Sequence, residues 1–349
     1  MDRTGDKPAK TQDHGLPLIT VTLVAYNQER FIRGAVEGAF AQTYSPLEII
    51  LSDDCSSDGT FDIMEQMARA YTGPHRIILN RNRENLGIGG HVNRVMELAG
   101  GELIVVAAGD DISVPERVRK IYEVYRESGG TAKSIFSNHT AIDANGRKLG
   151  VHFARPPDES TFLPEVIVEN QFILSGCAQA FAPEVFSLFG PLTVPLTCDD
   201  MAIPFRSALI GHIRYIDEEL VLYRRHATNI WQHSVTDYAR WEHFQIREKL
   251  AIFDNWLKDL ARFETLYPER RPMAESLRGT ILRRLESAKR DLDVFEGSWI
   301  GKARYLLHEW KKGTPFQEIR FQIGILLVPG IYNRYMKMKN KYILKKVKY

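Results

Sequence analysis

Apolar positions along the chain switch repeatedly between two spacings. Residues 18–25 (LITVTLVA) form an aliphatic and β-branched run, the pattern of a buried strand. Ile32, Ala35, Val36, Ala39 and Phe40 then recur at helical spacing, residues 47–51 (LEIIL) predict a second strand, and Phe61, Met64, Ala68 and Tyr71 a second amphipathic helix. Residues 77–79 predict a short third strand, Val92, Val95, Met96 and Ala99 a third helix, and residues 102–108 (ELIVVAA) a fourth strand. Ser113-Val114-Pro115-Glu116 reads as a capping box with proline in the first turn, opening a helix whose apolar face is Val118, Ile121, Tyr122 and Tyr125.

Strands alternating with helices at these lengths predict βαβ units, hence an α/β fold with a mostly parallel sheet covered by helices on both faces. Ligands of such sheets sit beyond the carboxyl ends of the strands. The segments there are Tyr26-Asn27-Gln28-Glu29, Ser52-Asp53-Asp54 and Gly109-Asp110-Asp111, two of which carry adjacent acids. Residues 134–226 read as an α+β continuation. From about Tyr238 the pattern turns to long charged helices, with Trp241, Phe244, Leu250, Phe253, Trp256 and Leu260 at roughly helical spacing and another such segment over 277–295. The expected division is a mobile tail over 1–15, an α/β domain over 16–235, and a helical C-terminal module over 236–349.

Composition narrows the class. The chain has 349 residues, is 44% hydrophobic and 26% charged, and carries a net charge of +2, which excludes disordered, collagenous and disulfide-scaffold chains. Three scattered cysteines, Cys55, Cys177 and Cys198, without a C-x-x-C pair, fit a reducing compartment and argue against a zinc ribbon. Residues 1–15 are polar, unlike a secretory signal, and no run of 18 apolar residues predicts a spanning helix. Residues 332–349 hold Arg334, Lys337, Lys339, Lys341, Lys345, Lys346 and Lys348 with no acid, interleaved with apolar residues, as in segments that bind an anionic membrane surface. Nucleic-acid binding is not expected, because the rest of the chain is not basic and lacks stacking motifs.

Acids grouped at strand ends repel one another and need a compensating cation or ligand. Adjacent carboxylates in a loop suit Mg²⁺ or Mn²⁺. The plainer reading, that Asp53, Asp54, Asp58, Asp110 and Asp111 merely cap helices, does not explain three polar clusters ending neighbouring strands. Residues 24–29 (VAYNQE), the loop Ser52-Asp53-Asp54-Cys55-Ser56-Ser57-Asp58-Gly59-Thr60, Asn85-Leu86-Gly87 with Asn93, Ala107-Ala108-Gly109-Asp110-Asp111 with Pro115, Cys198-Asp199-Asp200, and Tyr223-Arg224-Arg225-His226 follow in order. Together they resemble the motifs of family 2 glycosyltransferases over residues 18–229.

The resemblance implies a GT-A fold and metal-dependent, inverting transfer of a sugar from a nucleotide-diphosphate sugar, most simply a UDP- or TDP-sugar. Tyr26 and Glu29 would flank base and ribose, with Asn85 and Gly87 in the nucleotide site. Asp54, with Asp53, would read the base edge. Asp110 would hold Mn²⁺ or Mg²⁺ bridging the diphosphate, with Asp111 beside it and His226 as a further contact. Asp200 would be the general base, with Asp199 as its alternative. Cys55 stands where the family usually has glycine, Ala108 where it often has the first acid of D-x-D, and Asp199 where it has glutamate. Family habit adds a surface-polysaccharide role, such as O-antigen or capsule synthesis, a lipid-linked acceptor, and a cytoplasmic enzyme peripheral to the membrane.

Rival readings are weaker. A non-catalytic GT-A domain is suggested by Ala108 and Cys55. A nucleotidyltransferase would need a glycine-rich, lysine-bearing loop after the first strand, where Tyr26-Asn27-Gln28-Glu29 stands. Gly87-Ile88-Gly89-Gly90-His91-Val92 lacks the third glycine of a dinucleotide fingerprint, and no P-loop exists. His139, His212 and His233 read as isolated histidines, and Ser175-Gly176-Cys177 is not a nucleophile elbow.

Overall fold

The computed structural model describes residues 15–151, 162–170, 175–227, 229, 238–311, 322–323, 325–327 and 329. The basic segment 332–349, His233 and residues 1–14 lie outside this set. The first half follows the expected alternation: β1 (Ile19–Ala25), α1 (Ile32–Phe40), β2 (Leu47–Asp53), α2 (Thr60–Ala70), β3 (Arg76–Arg81), α3 (Gly87–Leu98), β4 (Ile104–Ala108), β5 (Ile112–Ser113) and α4 (Arg117–Glu127). The second half comprises β6 (Ala132–Asp143), β7 (Lys148–Val151), α5 (Pro164–Asn170), β8 (Gln179–Phe181), α6 (Glu184–Ser187), α7 (Asp199–Ile210) and β9 (His212–Arg225). Three helices follow, α8 (Tyr238–Leu266), α9 (Arg271–Glu296) and α10 (Trp299–Lys311).

One sheet runs in the order β3-β2-β1-β4-β8-β6-β9-β5, with β7 beside β6. Pairings among β1 to β4 are parallel, β8 is antiparallel to both β4 and β6, and β9 runs parallel to β6. β5 and β7 are antiparallel to β9 and β6, so the α/β fold with a C-terminal helical region is as the sequence predicts, while the sheet is mixed, parallel over β1 to β4 and between β6 and β9.

Side chains alternate across the pleat and feed two cores. Ile19, Val21, Leu23 and Ala25 of β1 join Leu103, Val105 and Ala107 and the apolar faces of α1, α2 and α4. Ile104, one residue out of phase, points into the other core with Phe181, α7, α8 and α9. Trp256, Phe253, Leu260 and Phe263 of α8 are fully buried there, so this helix shares a core with the sheet.

The capping box is a correction. α4 starts at Arg117, and its N-cap residue, Glu116, makes no side-chain cap bond. Ser113 is drawn instead into β5, which pairs with β9, and its hydroxyl accepts a 2.9 Å bond from the Arg117 guanidinium. Pro115 therefore precedes the helix rather than lying in its first turn.

Parallel register brings the strand ends level. Ala25 stands opposite Asp53, and Val24 opposite Ala108, so the three polar loops meet at one edge of the sheet.

Candidate active site

Two of those loops are zipped together by hydrogen bonds. The Asn27 amide donates to Ser56 Oγ at 2.8 Å, Gln28 N to Thr60 Oγ1 at 2.7 Å, and Glu29 N to Asp58 Oδ2 at 3.1 Å. Asn27 Oδ1 accepts from Ser57 N, and Glu29 Oε2 from Gly59 N. The sharp reversals need left-handed backbone at Asn27, φ 52°, and at Cys55, φ 64°. Cys55 thus occupies a conformation that favours glycine.

A cavity of about 940 Å³ opens at this edge, between the strand ends, α3, the start of α7 and the end of β9. Of the residues singled out from sequence, Tyr26, Asp54, Asn85, Gly87, Asp110, Asp111, Asp199, Asp200 and His226 all border it. Glu29 and Asp53 do not. Glu29 is occupied by the Gly59 amide, while Asp53 is buried, accepts from Ser56 N at 2.9 Å and pairs with Arg81 at 3.5 Å. Both act as loop supports in this geometry.

Asp54 pins the entrance to α3. Its Oδ1 accepts from Asn82 Nδ2 and Leu86 N, and its Oδ2 from Gly87 N at 3.0 Å. Gly87 sits at φ +70°, which lets the chain turn into the helix at that point. His91, one turn on, contacts Ser52 Oγ at 2.6 Å, and its burial pushes its pKa down despite the nearby carboxylates of Asp54 and Asp53.

The acids after β4 are organised by the last residues of β9. Arg224 N donates to Asp111 Oδ1 at 2.7 Å, and Arg224 Nε to the Asp110 carbonyl at 2.9 Å. His226 Nε2 lies 3.0 Å from Asp110 Oδ2, which also takes a 3.3 Å bond from Asn229 Nδ2. The His226 ring packs on Phe31, with centroids 4.5 Å apart. Burial, then the Asp110 charge, pushes the Asp111 carboxyl well above its usual range, against the pull of the Arg224 amide and the Cys177 thiol. Arg117 lies beneath, wholly buried and bonded to the carbonyls of Val106 and Cys177, its pKa pulled down to about 10 by burial.

Across the cavity, Asp199 and Asp200 open α7. Burial raises Asp199 to about 6 and lifts Asp200 well above its ordinary value, with Asp199 the next cause. Asp200 Oδ1 is buried without a hydrogen-bond partner. Gly176 leaves room beside it, since a Cβ there would lie 3.3 Å from Asp200 Cβ. Ser175-Gly176-Cys177 therefore lines the same cavity. His139 also borders it, buried and edge-on to Tyr223.

The loop leading into Asp199 is held from two helices. Asn93 of α3 exchanges both amide bonds with Leu192, at 2.7 and 3.0 Å. From α8, Asn255 does the same with Thr193, and Glu248 accepts from Thr197 N at 2.8 Å and Thr197 Oγ1 at 2.9 Å. Asn229, Glu248 and Asn255 were not singled out from sequence. Asn229 stands three residues after His226 and was open to notice, whereas Glu248 and Asn255 look like any polar positions on an amphipathic helix.

Residues 20–180 match the family model described as glycosyl transferase family 2. These residues form a family 2 glycosyltransferase domain. The chain is 27% identical over 223 residues to the uncharacterized glycosyltransferase alr2836 of Nostoc sp., covering 60% of this chain and 66% of that one. It is 33% identical over 136 residues to the succinoglycan biosynthesis protein ExoO of Rhizobium meliloti, covering 38% of this chain and 36% of the relative. The chain thus spans less than two thirds of the length of either relative. Among solved structures, TarS 1–349 of S. aureus in complex with UDP-GlcNAc is similar at 15% identity and a TM-score of 0.49, covering 85% of this chain and 88% of that one.

Proposed function

We propose that this glycosyltransferase moves a sugar, with inversion, from a nucleotide-diphosphate sugar to an acceptor hydroxyl in the assembly of a polysaccharide. The observation that carries the reading is that one cavity holds both the Asp110–His226 pair and the Asp199–Asp200 pair. The nucleotide would lie along Tyr26, Asp54, Asn85 and Gly87, with its diphosphate toward Asp110. The base is expected to be uracil or thymine. The succinoglycan relative supports the polysaccharide assignment.

The acids present fit a divalent cation. Asp110 borders the cavity with one carboxylate oxygen shared between His226 and Asn229. No cluster of three or more His, Cys, Asp or Glu side chains suited to a metal ion forms among the described residues. Mg²⁺ and Mn²⁺ are usually held by only one or two carboxylates, with substrate phosphates as further ligands. Asp110 would hold it, with Asp111 and His226 beside it, and when bound it neutralises the charge that develops on the leaving diphosphate.

Asp200 then performs the acid–base work. Its buried, unpartnered oxygen accepts the proton of the acceptor hydroxyl as that oxygen bonds to the anomeric carbon and the carbon–diphosphate bond breaks. Burial raises its pKa, the direction that makes a carboxylate the stronger base. A lipid-linked acceptor would bring the enzyme to the cytoplasmic face of a membrane, with the basic segment 332–349 against anionic lipid.

Calorimetric titration with UDP, TDP, GDP and CMP, each with and without Mn²⁺, tests the reading. Tight binding of one nucleoside diphosphate that requires the metal is expected. Absence of binding to all four would overturn it and leave a non-catalytic GT-A domain as the better account.

A further inference from the structure

Helix α10 carries an apolar face that nothing in the sugar-transfer chemistry uses. α10 contacts α9 and buries Leu306, yet Trp299, Ile300, Leu307 and Trp310 are 66%, 61%, 52% and 68% exposed. At 3.6 residues per turn these four positions fall within an arc of about 100°. Arg304 and Lys311 continue the exposed surface along one flank of that arc, and Lys302 lies on the other, its ammonium 5.6 Å from the Phe295 ring centroid. Two tryptophans at opposite ends of one exposed stripe, edged by cations, are out of place in water. They match the boundary between lipid headgroups and acyl chains, where amphipathic rings and basic side chains both find partners.

Charge along the chain points to the same occupant. Residues 299–349 hold twelve of the 46 lysines and arginines but only two of the 44 acids, so the near-neutral total hides a basic end joined to an acidic body. An acidic protein partner would need an apolar groove of its own for two tryptophans as well as acids for the cations, whereas an anionic lipid surface offers both at once, and a second copy would set basic ends against each other. No described helix is long and apolar enough to cross a membrane, which leaves a helix lying in the interface plane.

We infer that α10 docks on an anionic lipid surface through Trp299, Ile300, Leu307 and Trp310, with Arg304 and Lys311 against the headgroups. The inference rests on the reading that the enzyme works at a membrane, and it names the element that sets how the molecule sits there. The full chain is mixed with phosphatidylglycerol-containing vesicles and with pure phosphatidylcholine vesicles, and the bound fraction is read by co-sedimentation. Wild type is expected to bind the anionic vesicles and to lose binding in high salt. The double variant Trp299→Ser/Trp310→Ser is expected to bind at least tenfold more weakly, with unchanged thermal unfolding and nucleotide titration.

Equal binding by wild type and variant would remove α10 from the contact and leave the membrane reading to the basic segment. Failure of wild type to bind either vesicle would overturn both, while the nucleotide titration still decides the sugar-transfer reading. A wild-type dimer that becomes monomeric in the variant, with vesicle binding unchanged, would assign the face to self-association and overturn the inference.

Discussion

Asp200 is costly where it stands. Its folded pKa lies above the unfolded value, so the native state holds the proton more tightly than the unfolded chain, and stability falls as pH rises from about 4 through the folded value. Asp200→Asn is therefore expected to raise Tm at neutral pH while lowering kcat about 10²–10⁴-fold and leaving nucleotide affinity unchanged, as calorimetry and a transfer assay would show. Retained transfer would remove it from the base role. The pH profile carries a second signature. Transfer should fall on the acid side at a pH above the ordinary carboxylate range, and Asp199→Asn should move that limb downward, because the neighbouring charge is one of the causes that raise Asp200. A limb that stays in place would show that Asp199 does not tune the base. Cys55 offers a test of backbone alone. At φ 64°, Cys55→Gly should be more stable than Cys55→Val by about 1–2 kcal/mol in denaturant unfolding.

At the level of elements, α8 holds the loop that leads into Asp199 and Asp200, from outside the matched family segment. Glu248 grips Thr197 two and three residues before Asp199 and Asp200. Glu248→Ala should cut kcat roughly 10²-fold, the scale of a misplacement of about 1 Å, with nucleotide affinity unchanged. Glu248→Gln, which keeps an acceptor oxygen for Thr197, should recover part of the loss. Equal damage to nucleotide binding would mean that the helix supports the whole fold instead. The same elements show where sequence patterning works. β1, β2 and β4 were legible because they are buried on both faces, and Asp110, Asp200 and His226 because motif order marks them. β6 was not, since Ser134, Ser137, Asn138 and Thr140 break every apolar run yet are buried between β8 and β9. Ser134 is accommodated by a 2.7 Å contact with Ser207 of α7, a pairing that only the folded chain creates. Ser113 misled for a related reason, because its hydroxyl found Arg117 before it could cap α4.

Over the whole molecule, sheet and C-terminal helices form a continuous apolar body. Trp256, Phe253, Leu260 and Phe263 are fully buried, and at about 1.5–3 kcal/mol each they contribute roughly 6–12 kcal/mol. That is comparable with the total stability of a domain, about 5–15 kcal/mol. A chain ending at residue 237 is therefore expected to aggregate rather than yield a smaller working enzyme, and a folded, nucleotide-binding product in gel filtration would refute this. The grip of α8 on Thr197 also imposes an order in time. On the ribosome the loops after β1, β2 and β4 emerge long before residue 248, and some fifty residues separate Asp200 from Glu248, a few seconds at about 5–20 residues per second. A nascent chain can thus zip together the loops after β1 and β2 while Asp199 and Asp200 are still unanchored, so the two walls of the cavity take shape one after the other, the second only when most of the chain has been made.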